Sequence, residues 1–554
     1  MDPSPRKKLR TPSPAILPET SSIASPHQKG ASHKLPDEIL DYIFKIIINS
    51  EEDRILERPL MTLFRASSVC KRWRNFLHEP SIWGRVIDLD CMVQRKGNFR
   101  RLVMDRTRGA SDLDVKGVID DEDPLVLFLR TWTEPQHFNG YHWHRMRRLD
   151  LTIRDADRFD EVHALFATTP PHNLQSLRVI FQKYRYEESP LPIAFNTDIP
   201  SLLNLDTNVF YLPHRAANLS TLKSLSISFC NQSQVPYTLV DFADVLSQMI
   251  ELESLDLCDA FRPSSQSPSL SSIYLPHLRE MRITNDHECF ALLEAINPHT
   301  ACSINIHIIE SLDDNIMVLR NVLSRYAAEF VRARIVNAVQ IELSGFSIVV
   351  RLTAIPSDHR ERALSFSFDA MLVSSVHTLA ILLGAFDTCD LRRVTTLDLN
   401  LLTNMIRTRP TIPSPEIRHL ISSLSGVQTL VTNMRTIKHL DGITTPQRIF
   451  PSLQTLKLTS LIISYGDERL INNDGNPARL RVDAKLLTDF LSIRTGTVHG
   501  LDLTQCALED SVRFLDSPPF KDLKIMWKNN DGQRKVYTCG GGTPTCLDFG
   551  HRYE

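Results

Sequence analysis

One short phrase recurs along this chain and limits its fold more than any other feature. It reads apolar-x-x-apolar-x-apolar, usually with leucine, at Met146–Leu151, Leu174–Val179, Leu222–Ile227, Leu252–Leu257, Leu278–Ile283, Val394–Leu399, Leu453–Leu458 and Val498–Leu503. Weaker copies lie at Ser303–Ile308, Val339–Leu343, Ser365–Phe368, Val427–Leu430 and Leu523–Ile525. The spacing is 28 residues from Leu149 to Leu177, 30 from Leu225 to Leu255, and 26 both from Leu255 to Met281 and from Leu430 to Leu456. Gaps of 48 from Leu177 to Leu225 and 45 from Leu456 to Leu501 imply an insertion or a further repeat. Alternating apolar residues within each phrase predict a strand with one buried face. Between phrases the period becomes helical, at Ile417, Leu420, Ile421 and Leu424, at Val162, Leu165 and Phe166, and at Leu486, Leu487, Phe490 and Leu491. A unit of one strand and one helix or 3₁₀ turn, repeated every ~20–29 residues, stacks into an array with a common core.

The chain is long enough for such an array. Its 554 residues exceed the roughly 150 of one domain. Hydrophobic residues at 42% and charged residues at 23% are ordinary globular usage, so a sizeable core is expected. With 63 Lys+Arg against 65 Asp+Glu, the net charge of −2 argues against nucleic-acid binding through bulk charge. No apolar run approaches the ~18 residues of a membrane span, and the N-terminus lacks the apolar core of a secretory signal. Ten scattered Cys with no CxxC pair point to a reducing compartment, so cytoplasmic or nuclear residence is expected. Residues 1–34 stand apart, with six Pro, six Ser, six Lys/Arg and two acids, hence a charge of +4 against −6 for the remainder. So little apolar area predicts a disordered tail. Its run Arg6-Lys7-Lys8-Leu9-Arg10 reads either as a nuclear-import signal or as a solvated basic segment.

Residues 35–84 carry a second pattern. A helix is expected to open at Leu35-Pro36-Asp37-Glu38, with Pro36 at its first position, and to carry Ile39, Leu40, Ile43, Phe44 and Ile47 at the helical period. The polar stretch Asn49–Arg58 reads as a loop and Leu60–Ala66 as a second helix. Ser67 or Ser68 is expected to cap a third, with Val69, Cys70, Trp73, Phe76 and Leu77 on one stripe. Cys70, on that stripe, is expected to be an inert buried thiol. Leu35-Pro36, Ile43-Phe44, Val69-Cys70-Lys71-Arg72-Trp73 and Pro80-Ser81-Ile82-Trp83 occur in order within fifty residues, and this stretch resembles an F-box. It departs from the compact form of that family in its longer acidic loop, Glu51-Glu52-Asp53. The resemblance implies docking on the Skp-family adaptor of a cullin-RING (SCF) ubiquitin ligase through Leu35, Pro36, Ile39, Leu40, Ile43, Phe44, Val69, Cys70 and Trp73. Several of these can equally be the core of the small bundle, since helices this short share residues between core and interface.

The remainder resembles the degenerate leucine-rich repeats attached to many F-boxes. Cys230 and Cys506 match the Asn or Cys that follows the last apolar position, whereas Gln182, Ala260 and Asp286 depart from it. The fold class expected is therefore α/β: an N-terminal three-helix F-box, then a leucine-rich-repeat-like solenoid with a curved parallel sheet. An ordinary α/β domain of alternating strands and helices is the alternative. The corresponding divisions are a tail (1–34), the F-box (35–84), a connector with room for a first irregular repeat (85–145), the array (146–530) and a C-terminal tail (531–554). On the strands, Arg148, Asp150, Arg178, Ser226, Asp256, Arg282, Thr396, Asp398, Lys457 and Asp502 should face outward, a mixed-sign surface.

No metalloprotease, hydrolase, Walker or dinucleotide motif is present, so no catalytic residue, cofactor or metal is expected and the chain is read as a non-enzyme. Cys539, Cys546 and His551 lack zinc-ribbon spacing, and Asp120–Asp123 lacks the alternation of a calcium loop. The resemblance implies a substrate receptor that binds the adaptor, through it a cullin, and an unknown target protein. An interaction scaffold that binds the adaptor without ubiquitin transfer is the alternative.

Overall fold

In the computed structural model the recurring phrases are strands of one 18-stranded open sheet. The structure describes residues 35–49, 58–95, 97–119, 143–154, 171–182, 193–194, 199–212, 217–229, 238–262, 270–284, 289–298, 302–308, 316–343, 347–354, 364–371, 376–401, 415–441, 449–459, 478–506, 512–529, 531–542 and 547. The tail with Arg6–Arg10, the loop at Glu51–Asp53, Asp120–Asp123, Val162–Phe166, Cys230, Cys546 and His551 lie outside them.

In chain order the sheet comprises β1 Ile87–Asp88, β2 Leu113–Ile119, β3 Met146–Ile153, β4 Ser176–Phe181, β5 Asn204–Thr207, β6 Ser224–Ser228, β7 Ser254–Cys258, β8 Glu280–Thr284 and β9 Ser303–Ile308. These nine pair successively and in parallel. The register aligns Leu149, Leu177, Leu205, Leu225, Leu255, Met281 and Ile304, all buried. Leu205 resolves the first long gap, standing 28 residues after Leu177 and 20 before Leu225.

The order then reverses. The next strands are β10 Val336–Leu343, β11 Ser347–Ala354 and β12 Leu364–Met371. β12, not β10, lies parallel beside β9. β11 pairs antiparallel with both, and β10 pairs in parallel with β13 Thr396–Leu401. The chain therefore leaps forward, zigzags back through a meander and leaps forward again. Helices Ile316–Ala333 and Val376–Leu383 carry the two leaps, since strands that run the same way need long crossovers. The weaker phrases at Val339 and Ser365 are thus strands, but not consecutive members of one stack. Parallel stacking resumes through β14 Thr429–Thr432, β15 Thr455–Leu458, β16 Gly500–Asp502 and β17 Lys524–Lys528, aligning Leu397, Leu430, Leu456, Leu501 and Ile525. An antiparallel strand, β18 Arg534–Thr538, follows, so the segment 531–554 read as a tail contributes to the sheet.

Buried and half-buried side-chain donors and acceptors tie strand ends together. Asn208 accepts from Phe181 N (2.6 Å) and donates to Phe181 O (2.7 Å). Thr436 Oγ1 accepts from Leu401 N (2.8 Å), Thr432 Oγ1 donates to Leu399 O (2.7 Å) and Cys506 Sγ to Leu458 O (3.2 Å). Each satisfies a backbone group where the ladder ends. On the other layer, helix Leu239–Leu246 starts with a capping box between Thr238 and Asp241. Helices Pro415–Ser423 and Ala478–Ser492 occupy the positions of two predicted helical patterns.

At the N-terminal edge the helices α1 Asp37–Asn49, α2 Pro59–Val69, α3 Lys71–Phe76, α4 Pro80–Gly84, α5 Leu89–Gln94 and α6 Gly97–Thr107 pack on one another, and α5 packs on β2. One hydrophobic core runs from Leu40 and Phe44 through the whole sheet. The junction is close. A Cβ on Gly117 would lie 2.6 Å from Leu89 Cβ, so glycine admits α5 onto β2. Among the described residues no helix is long and apolar enough to cross a membrane.

Candidate functional site

Two surfaces have exposed side chains in a definite arrangement. The first is the helical N-terminal region. Its core comprises Leu40, Phe44, Leu60, Leu63, Leu77, Ile82 and Trp83, each 6% exposed or less. Phe44 meets Trp73 edge-on at 5.7 Å between ring centroids and stacks on Phe76 at 5.6 Å. Trp83 Nε1 donates to Leu77 O (2.6 Å), which also accepts from Arg106 Nη1 (3.0 Å). Arg72 links α3 to the start of α1 through Asp37 (2.5 Å).

The residues singled out in the sequence divide into three sets. Leu40 and Phe44 are core. Leu35, Ile43, Cys70 and Trp73 are half-buried, while Pro36, Ile39 (44% exposed) and Val69 (59%) are open to solvent. Tyr42 at 64% and Ile46 at 53% join this exposed apolar set. They were missed because the helical period drew a single stripe through Ile39, Leu40, Ile43, Phe44 and Ile47. The run Ile46-Ile47-Ile48 was the available signal, since it spreads apolar residues beyond one face. Ile39, Tyr42, Ile43 and Ile46 stand at i, i+3, i+4 and i+7 on α1, a second apolar face turned away from the bundle.

The expected third-helix stripe needs correction. Val69 ends α2, and the break falls at Cys70, whose extended backbone places it as the N-cap of α3. Its Sγ accepts from Trp73 N (3.5 Å). Ser67 and Ser68, expected to cap α3, donate instead to Phe64 O within α2 (2.6 and 3.4 Å). Serine hydroxyls back-bond this way inside a helix, so they do not mark its end. Cys70 is half-buried rather than buried.

Arg58 fastens this region to the sheet. It contacts Asp88 (2.9 Å), Asp90 (3.1 Å) and Cys91 Sγ (3.8 Å), while Asp88 Oδ1 also accepts from Cys91 N (2.9 Å). Burial acts to lower the Arg58 pKa, but Asp88 and its neighbours hold it raised. Burial, with Asp88 adding, pushes the Cys91 thiol up to about 11, so it stays protonated at neutral pH. Phe64 packs edge-on against Phe99 of α6 at 5.1 Å.

The second surface is the outward face of the sheet. Its central row in the N-terminal half runs Lys116, Asp150, Arg178, Asp206, Ser226, Asp256 and Arg282. Arg178 bridges Asp150 and Asp206, both at 2.9 Å, and Arg282 reaches Asp256 (3.7 Å) and Glu280 (4.0 Å). Burial acts against the Arg178 charge, and the two aspartates more than offset it. Burial raises the Asp256 carboxyl, opposed by Arg282, and raises Asp398, opposed by Lys457. Where β9 meets β12 of the reversed meander, His307 Nδ1 lies 3.0 Å from Asp369 on the same face.

Residues 33–88 match the F-box-like family. The match covers about a tenth of the chain and coincides with the helices α1 to α4. The chain therefore carries an F-box-like domain, joined to a large α/β body. Among curated proteins none matches the chain.

Proposed function

We propose that this chain is the substrate-recognition subunit of an SCF (cullin-RING) ubiquitin ligase. F-box domains generally bind Skp-family adaptors, and the exposed apolar set on the matched segment supports that role here. Ile39, Tyr42, Ile46 and Val69 are large apolar side chains left in water on a small helical domain. An apolar patch of this kind marks an interaction site. Leu35, Pro36, Ile43, Cys70 and Trp73 flank it, and Leu40 and Phe44 hold it in shape from within.

The sheet serves as the target-binding body, a leucine-rich-repeat-like solenoid interrupted by one reversed meander. Its aligned leucines and outward polar rows support that reading. The chain needs no catalytic residue, cofactor or metal of its own, because it acts by holding a target near the charged ubiquitin carrier. A cullin joins through the adaptor, and the working compartment is the cytoplasm, the nucleus or both.

Adaptor capture tests the first half of this proposal. The double substitution Ile39→Asp with Val69→Asp should abolish co-purification with the adaptor and leave the melting temperature within a few degrees. Burying two unpaired carboxylates at the interface is strongly unfavourable. Undiminished capture would refute the assignment.

A further inference from the structure

The two halves of the outward face differ in how their charges are satisfied. In the N-terminal half cations and carboxylates alternate across the strands, and Arg178 and Arg282 each contact two acids. The last two strands are built differently. Lys524 and Lys528 at the ends of β17, and Arg534, Lys535 and Val536 of β18, are all exposed. Val536 is paired with Met526, and Lys528 with Arg534. Arg534 reaches Met526 Sδ (3.2 Å) and lies 3.9 Å from Asp502, itself largely covered. Lys524, Lys528 and Lys535 have no carboxylate within ion-pair distance among the described residues. The nearby acids are engaged elsewhere: Asp531 accepts from Asn529 Nδ2 in the hairpin turn, and Asp516 accepts from Gly540 N.

This cationic, partly apolar corner is also a sheet edge. β18 pairs with β17 on one side, and no strand among the described residues pairs with the other. At the opposite edge, Arg58 at the start of α2 holds Asp88 of β1. An open edge offers backbone donors and acceptors to an incoming strand, and the side chains around it select the occupant.

We propose that the β17–β18 corner docks an acidic segment of the target protein as an added strand on β18. Charge complementarity commits the site to that chemistry. Acids at alternate positions of the added strand share one face with Lys524, Lys528 and Arg534, while Lys535, paired with Trp527, lies on the other face. The proposal rests on the substrate-receptor reading and specifies where and what that receptor holds.

The probe is a fluorescent peptide alternating Glu with Val, titrated against the full chain in complex with the adaptor. Controls are a Lys/Val peptide and a backbone N-methylated Glu/Val peptide. The Glu/Val peptide should bind, weaken with added salt, and lose about tenfold or more on Lys524→Glu with Lys528→Glu and Arg534→Glu. Arg418→Glu, exposed on the helix Pro415–Ser423 away from the outward face, should leave binding unchanged. N-methylation should weaken binding at least tenfold, because the strand donors are gone. Equal binding of the Lys/Val peptide, indifference to the charge reversals, or no binding of the Glu/Val peptide would overturn the proposal. An unchanged affinity for the N-methylated peptide would overturn the added strand. A C-terminal segment of this chain already occupying β18 would appear as no binding. Adaptor capture is scored on the same samples. Intact capture without peptide binding defeats this inference alone, whereas lost capture with peptide binding defeats the receptor reading.

Discussion

Arg58 illustrates how much of this architecture depends on single contacts. Asp88 is 4% exposed and relies on Arg58 and Cys91 N to balance its charge. Arg58→Ala leaves that carboxylate short of one partner and should cost about 1–3 kcal/mol in urea unfolding, with adaptor capture retained when the chain is folded. Asp398 works in the other direction. Burial raises its pKa above the unfolded value, so at neutral pH its ionised form opposes folding. The folded chain takes up that proton before the unfolded chain does, so this residue adds stability as pH falls through its raised folded pKa. Asp398→Asn should therefore raise the melting temperature slightly at pH 7 and flatten this acid-side gain. A lower melting temperature at pH 7 would show that the Asp398–Lys457 attraction outweighs desolvation.

Among the elements, α1 presents one face to the core and another to solvent. Leu40→Ala removes a side chain at 0% exposure and should cost about 2–5 kcal/mol, measured by denaturant unfolding. Ile39→Ala, at 44% exposure, should stay within about 1 kcal/mol and act on adaptor capture instead. Gly117→Ala tests the junction. Its new methyl would press into Leu89, so a loss of about 1–3 kcal/mol is expected. The helix boundaries here were only partly legible. Ser67 and Ser68 looked like caps because the sequence shows the hydroxyl but not that Phe64 O is its acceptor. Cys70, an unusual cap, performs that role. At the strands the inward leucines were legible because each phrase carries its own alternation. Leu205 was not, since the short strand Asn204–Thr207 closes with a buried Thr in place of a leucine.

For the whole molecule, the order of strands was the feature least visible in the sequence. Period-two alternation is the same for parallel and antiparallel strands, so β10, β11 and β12 showed their faces but not their reversed placement. The antiparallel β18 hid for a related reason: its exposed Arg534-Lys535-Val536 reads as a polar tail. An open array transmits damage mainly to its neighbours. Hydrogen exchange on Leu255→Ala should rise in β6, β7 and β8 and change little at β16. Ubiquitin transfer in a reconstituted ligase containing adaptor, cullin and charged carrier is the most direct test of the receptor role. A protein captured by the sheet should become ubiquitinated with the wild-type chain. It should remain captured but unmodified with Ile39→Asp plus Val69→Asp. Captured proteins left unmodified by the wild type, or modified equally by the double variant, would contradict the account.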